Sequence, residues 1–109
     1  MTTIEALIER VKAATGPDRG LDEALRAHFG YPPKPWNYTA SIDAITALIE
    51  RVLPGWHIAS GTVGDEPDQP WACLTSPDNP HPDFPAFHVT EALARTEALL
   101  IALQSQGAA

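Results

Sequence analysis

Cysteine occurs once in 109 residues, so no internal disulfide can form and the fold does not depend on oxidising conditions. Basic residues are also few. Seven Lys and Arg stand against 14 Asp and Glu, a formal net charge of −7. Such a chain repels phosphate backbones at long range, which disfavours direct nucleic-acid binding. No apolar run approaches the roughly 20 residues that cross a bilayer. The opening Met1-Thr-Thr-Ile-Glu-Ala6 lacks the basic stretch of a secretory signal. No glycine-rich phosphate loop opens a helix, since Gly61 and Gly64 fall in or after a strand-like stretch. With 44% hydrophobic residues in so short a chain, there is core for one domain, residues 1–109. The expectation is a small, acidic, soluble protein of the cytoplasm, with no membrane partner.

Proline, by contrast, is abundant at 11 residues, and it punctuates the chain. Ahead of the first cluster, Ile4, Leu7, Ile8 and Val11 share one helical stripe, with Thr2 as N-cap and Glu5 closing a capping box. A second helix is predicted from Pro17, with Leu21, Ala24, Leu25, His28 and Phe29 as its apolar face. Tyr31-Pro-Pro-Lys-Pro-Trp36 cannot be regular, because proline removes donors and extends the preceding residue. Ser41 caps a third helix with Ile42, Ile45, Leu48, Ile49 and Val52 on one face, stopped by Pro54-Gly55.

The period then changes. Residues 56–63 and 71–75 read as two strands joined by the polar loop 64–70, an antiparallel hairpin. Placing Val63 opposite Pro70 puts Ser60 opposite Cys73. It also puts Trp56, Ile58, Trp71 and Cys73 on one face, and His57, Ala59, Val63, Ala72 and Leu74 on the other. Phe84, Phe87 and Val89 either add a short edge strand or plug the core. Thr90 caps a last helix, residues 91–105, with Ala92, Leu93, Thr96, Leu99, Leu100 and Leu103 as its buried stripe. The fold class is α+β: about four helices on a two- or three-stranded antiparallel sheet.

Several of these runs carry a family likeness. Ala14-Thr-Gly-Pro-Asp18 followed by Leu21-Asp22, then Tyr38-Thr-Ala-Ser-Ile-Asp43, Leu53-Pro-Gly-Trp56 and Trp71-Ala-Cys-Leu74, with the Ala/Leu-rich helix 91–103, resemble the phage ABA sandwich domain in the same order. The chain departs from that pattern in a longer helix 41–53, where Ile49-Glu-Arg-Val52 stands as an insertion, and in a short stretch 29–38. The resemblance implies an α/β/α layered sandwich and a phage or prophage gene working in a bacterial host. It implies no activity, and so no catalytic residues.

The residues themselves offer few reactive groups. His81 and His88 flank Asp83, and with Cys73 they form the nearest approach to a metal-ligand set, but there is no Cys-x-x-Cys and no His-x3-His pair. His57 and Cys73 suggest a base and a nucleophile, yet the register above separates them on opposite faces. Asp65, Glu66 and Asp68 lack the spacing of a twelve-residue calcium loop. Lys12, Arg19 and Arg26 form at most a small basic patch. No catalytic, metal or cofactor residue is assigned, and no cofactor is expected.

Aromatic residues weigh more. Trp56 and Trp71 open the two strands and are read as core, where each buries on the order of 200 Å². Tyr31, Trp36 and Tyr38 are expected to fold back over the core; in the functional alternative they centre an exposed aromatic patch and are the candidate partner-binding residues. The expected function is a non-enzymatic phage or prophage accessory protein acting by contact with a phage or host protein, or with a second copy as a homodimer. The alternatives are a metal-dependent or Cys/His hydrolase using His57, Cys73, His81 or His88, and an acidic nucleic-acid mimic bound by a host DNA-binding protein.

Overall fold

Side-chain caps set the helix starts. A computed structural model describes residues 3–30, 32, 34, 36–63, 69–77 and 83–106. Along the chain these form α1 (Ile4–Ala13), α2 (Arg19–His28), α3 (Ile42–Val52), β1 (His57–Val63), β2 (Gln69–Thr75), β3 (Asp83–Phe87) and α4 (Glu91–Ser105). Thr3, Asp18, Ser41 and Thr90 are extended, and each side chain accepts from the backbone N–H three residues on. Thr3 therefore takes the capping place expected of Thr2, which lies outside the described residues. Asp18 displaces Pro17 as the start of α2, because its carboxylate captures the Leu21 N–H at 3.0 Å. Gly55 closes the α3 to β1 corner with φ +85°, a conformation that a side chain would strain.

The class is α+β as expected: the described residues form four helices packed with a three-stranded antiparallel sheet in the order β1-β2-β3. The phenylalanine segment 83–87 forms the edge strand β3. Helix α4 lies across the sheet, and α1 and α3 stack on its far side, with α2 resting on α1. The layers thus run sheet, α4, then α1 with α3. The second helical layer of the implied sandwich sits behind α4, not on the sheet's other face.

The hairpin register differs by one residue from the expected one. Val63 pairs with Gln69, and Cys73 pairs with Ala59. Ile58, Ser60, Ala72, Leu74, Phe84 and Ala86 consequently share the face under α4. Ala72, Leu74 and Ala86 are buried there, and the small alanines let the helix approach closely. Trp56 stays with the core and packs on Phe84, ring centroids 5.7 Å apart. Trp71 does not, because alternation along β2 sends its indole to the opposite face. Phe87 and Val89 also leave the core, at 54% and 56% exposure. Leu74→Ala is expected to cost about 2–5 kcal/mol in urea unfolding, as a cavity under α4. Cys73→Ala, one residue away on the opposite face, should cost no more than about 0.5 kcal/mol.

Candidate functional site

The strand register assembles the chemistry-bearing residues on the sheet's outer face. Three rows cross it: Gly61, Trp71 and Phe87; then Ala59, Cys73 and Pro85; then His57, Thr75 and Asp83. Side chains within a row are direct cross-strand neighbours and pack against one another. The first two rows hold no ionisable group except the Cys73 thiol. The Trp71 indole lies over Gly61, its Nε1 3.4 Å from where a Cβ would stand. The third row is polar, and the Thr75 hydroxyl donates to Asp83 Oδ1 at 2.8 Å. Among the described residues no helix touches this face.

His57 and Cys73 lie together on it, contrary to the separation expected from the other register. They occupy diagonal positions, and no hydrogen bond joins them among the described residues. His88 is committed elsewhere. Its Nδ1 accepts from the Val89 N–H at 2.8 Å, so Nε2 carries the proton and donates to the Val11 carbonyl at 2.6 Å. That bond ties the end of β3 to the end of α1. His81, Asp65, Glu66 and Asp68 lie outside the described residues. Among the described residues no three His, Cys, Asp or Glu side chains come together to hold a metal.

The aromatic trio expected to meet a partner is divided. Tyr31 lies outside the described residues. Trp36 is half-buried: its Nε1 donates to the Pro32 carbonyl at 2.6 Å, and the Arg26 guanidinium stacks 3.7 Å from a ring centroid. Lys34 approaches the same ring at 5.2 Å. Tyr38 is a core residue, 1% exposed, and cannot be the centre of a surface patch. Its hydroxyl has no hydrogen-bond partner among the described residues. Burial pushes its pKa up, and Asp22 adds to the rise while Arg26 and Arg51 oppose it.

Two polar clusters were not legible as sites from spacing. In the first, Asp22 Oδ1 accepts from both the Thr39 N–H at 2.8 Å and the Thr39 hydroxyl at 2.9 Å. Thr39 Oγ1 in turn accepts from the Asp18 N–H at 2.8 Å. This fastens the turn at 37–40 to the first turn of α2. Asp22 is buried, and a signal existed: it adjoins Leu21 and precedes Leu25 by three positions, so it borders the apolar stripe. In the second cluster, Arg95 Nε and Nη2 donate to Ser60 Oγ at 2.9 and 2.6 Å, while Nη1 donates to Thr46 Oγ1 at 2.6 Å. The Ser60 hydroxyl donates to Glu91 Oε2 at 3.0 Å. One side chain thereby connects α4 to β1 and α3.

Comparison with known proteins returns no matching family model, no matching curated protein and no matching solved structure.

Burial raises the Asp22 pKa, and the hydrogen bonds from Thr39 only partly offset it. The folded state therefore holds the Asp22 proton more tightly than the unfolded chain. This group's contribution to stability is greatest at pH values below 3.8 and is lost as pH rises through the raised folded value. Asp22→Asn keeps an Oδ1 acceptor for both Thr39 donors and removes the charge. Urea unfolding across pH should show the Asn variant gaining on the parent as pH rises through that window and holding its gain at neutral pH. Asp22→Ala should instead cost about 1–3 kcal/mol, since it strands the buried Thr39 donors.

Proposed function

We propose that the protein is a binding module that works by contact with another protein through the outer face of its sheet. The observation that carries this reading is the run of adjoining side chains Ala59, Trp71, Cys73, Pro85 and Phe87 on a face that no helix touches among the described residues, with Phe87 54% exposed. Contiguous exposed apolar surface of this kind marks interaction sites, and aromatic anchors dominate their energetics. The occupant is a protein presenting an apolar surface within a basic rim, because a net charge of −7 favours a partner of opposite sign. An accessory role in a phage or prophage, as the sequence resemblance implies, fits such a module. Trp36 contributes less than expected from the sequence, since its ring is already stacked by Arg26 and its N–H already donates to Pro32.

The hydrolase reading has lost support at one residue, because both ring nitrogens of His88 serve backbone groups. Affinity capture from a bacterial host lysate, followed by titration of the purified partner, tests the binding reading. Trp71→Asp and Phe87→Asp should each weaken binding by about 30-fold or more and leave the circular dichroism spectrum intact. Undiminished binding by the double variant would refute the assignment to this face.

A further inference from the structure

The two edges of the sheet are not alike. The His88 N–H donates to the Pro70 carbonyl at 3.1 Å, which makes 70 and 88 a hydrogen-bonded pair in the β2–β3 ladder. Antiparallel ladders alternate, so residues 72 and 74 also bond to β3, and residues 71, 73 and 75 bond to β1. Their partners are Gly61, Ala59 and His57. The backbone groups of Ile58, Ser60 and Thr62 therefore point away from β2, to the free edge. None of them has a backbone partner beyond the sheet among the described residues. On the opposite edge the same alternation turns the nitrogen of Pro85 outward, where it has no hydrogen to give, and Asp83 stands beside it. Proline and charge are the usual guards of an edge strand. The segment His57–Val63 has no proline, lysine or carboxylate.

We infer that β1 is a docking edge for a second copy of this chain, paired β1 to β1 about a two-fold axis at Ser60. Ile58 then faces the partner's Thr62, Ser60 faces the partner's Ser60, and Ala59 faces the partner's Gly61. All three outward residues are used, giving about six backbone hydrogen bonds. Ala59 and Gly61 add no bulky side chain of β1 to the outer face, where the Trp71 indole covers Gly61. The charges beside the axis are self-complementary. Glu91 and Arg95 both reach Ser60, one from each side along α4. A two-fold at Ser60 sets Glu91 of one copy toward the partner's Arg95, twice. An isologous interface requires this arrangement of opposite charges about the axis. The pairing joins two sheets into one of six strands and makes no assumption about what the outer face binds.

Sedimentation equilibrium of the intact chain is the test. The expected mass is twice 11.7 kDa, reached below about 0.5 mM because a strand-edge interface is small. Thr62→Pro removes an outward donor without taking a bond from β2, and should weaken association about tenfold or more, with an unchanged thermal midpoint at dilutions where both chains are monomeric. Glu91→Arg sets like charges across the axis and should weaken it similarly; adding Arg95→Glu should recover the dimer. If Thr62→Pro does not fold, the charge pair decides. A chain monomeric at all these concentrations overturns the inference. So does a dimer that ignores both Thr62→Pro and Glu91→Arg. A dimer lost only with Trp71 and Phe87 would move self-association to the outer face, leaving that face's binding role standing and the edge proposal refuted.

Discussion

Everything in this fold leans on α4. Its buried residues include Leu93, Leu99 and Leu100 but also Ala92, Ala94, Thr96, Ala98 and Ala102, so they ring the helix rather than stripe it. A helix buried around most of its circumference has to be enclosed by neighbours. The sheet covers one side, and α1 with α3 cover the other. Alanine is what makes that enclosure close. It lets neighbouring backbones approach while costing no side-chain entropy and no helix propensity. The one buried hydroxyl of α4, on Thr96, is satisfied within the helix by the Ala92 carbonyl at 2.8 Å.

That central demand explains the rest of the layout. Both large helical surfaces available for burial, α1 and α3, are spent on α4. None remains for the outer face of the sheet. The inner face receives residues small or aliphatic enough to lie under a helix, and Trp71 is displaced to the side where its bulk is tolerated. A tryptophan on a face without a helix and a proline on one edge are then two results of one packing decision. The strands have to offer Ala72, Leu74 and Ala86 to α4, and alternation settles the direction of every other side chain.

Local signals in the sequence located the elements well. The Ser41 and Thr90 caps, the apolar stripes of α1 and α3 and the Pro-Gly stop after α3 are short-range features, and short-range physics decides them. Register was different. The loop 64–70 contains two prolines and three acids, with no compact Asn-Gly or Asp-Gly turn to fix the count, so pairing Val63 with Pro70 or with Gln69 depends on tertiary packing. One residue of slip exchanged the faces of Trp71 and Leu74. Helix α4 also read as an ordinary amphipathic stripe, because Ala94, Ala98 and Ala102 look neutral in a pattern but are core in the structure. The Asp22–Thr39 and Arg95–Ser60 contacts span 17 and 35 residues, beyond the reach of any periodicity. Tyr38 and Trp36 do fold back on the core, and the alternative of a surface patch centred on them fails because nothing local distinguishes a buried Tyr38 from an exposed one.

The two polar clusters have a common role despite their distance in sequence. A chain this short buries a limited apolar area, and peripheral elements gain little from the core alone. The turn carrying Thr39 touches the body through Tyr38, and β1 meets α4 less extensively than β2 does. Each of these weakly covered parts is tied by a charged side chain making several hydrogen bonds at short distance, which is the stronger class of such bonds. Arg95 goes further, because it directs its donors to uncharged Ser60 and Thr46 and makes no direct ion pair among the described residues. Glu91 sits across the same serine rather than against the guanidinium. Separating the two charges by a shared hydroxyl keeps both at the edge of β1, where the backbone groups of Ser60 are still open. The strap that steadies the strand inside one molecule thus also presents a positive and a negative group to whatever approaches that edge.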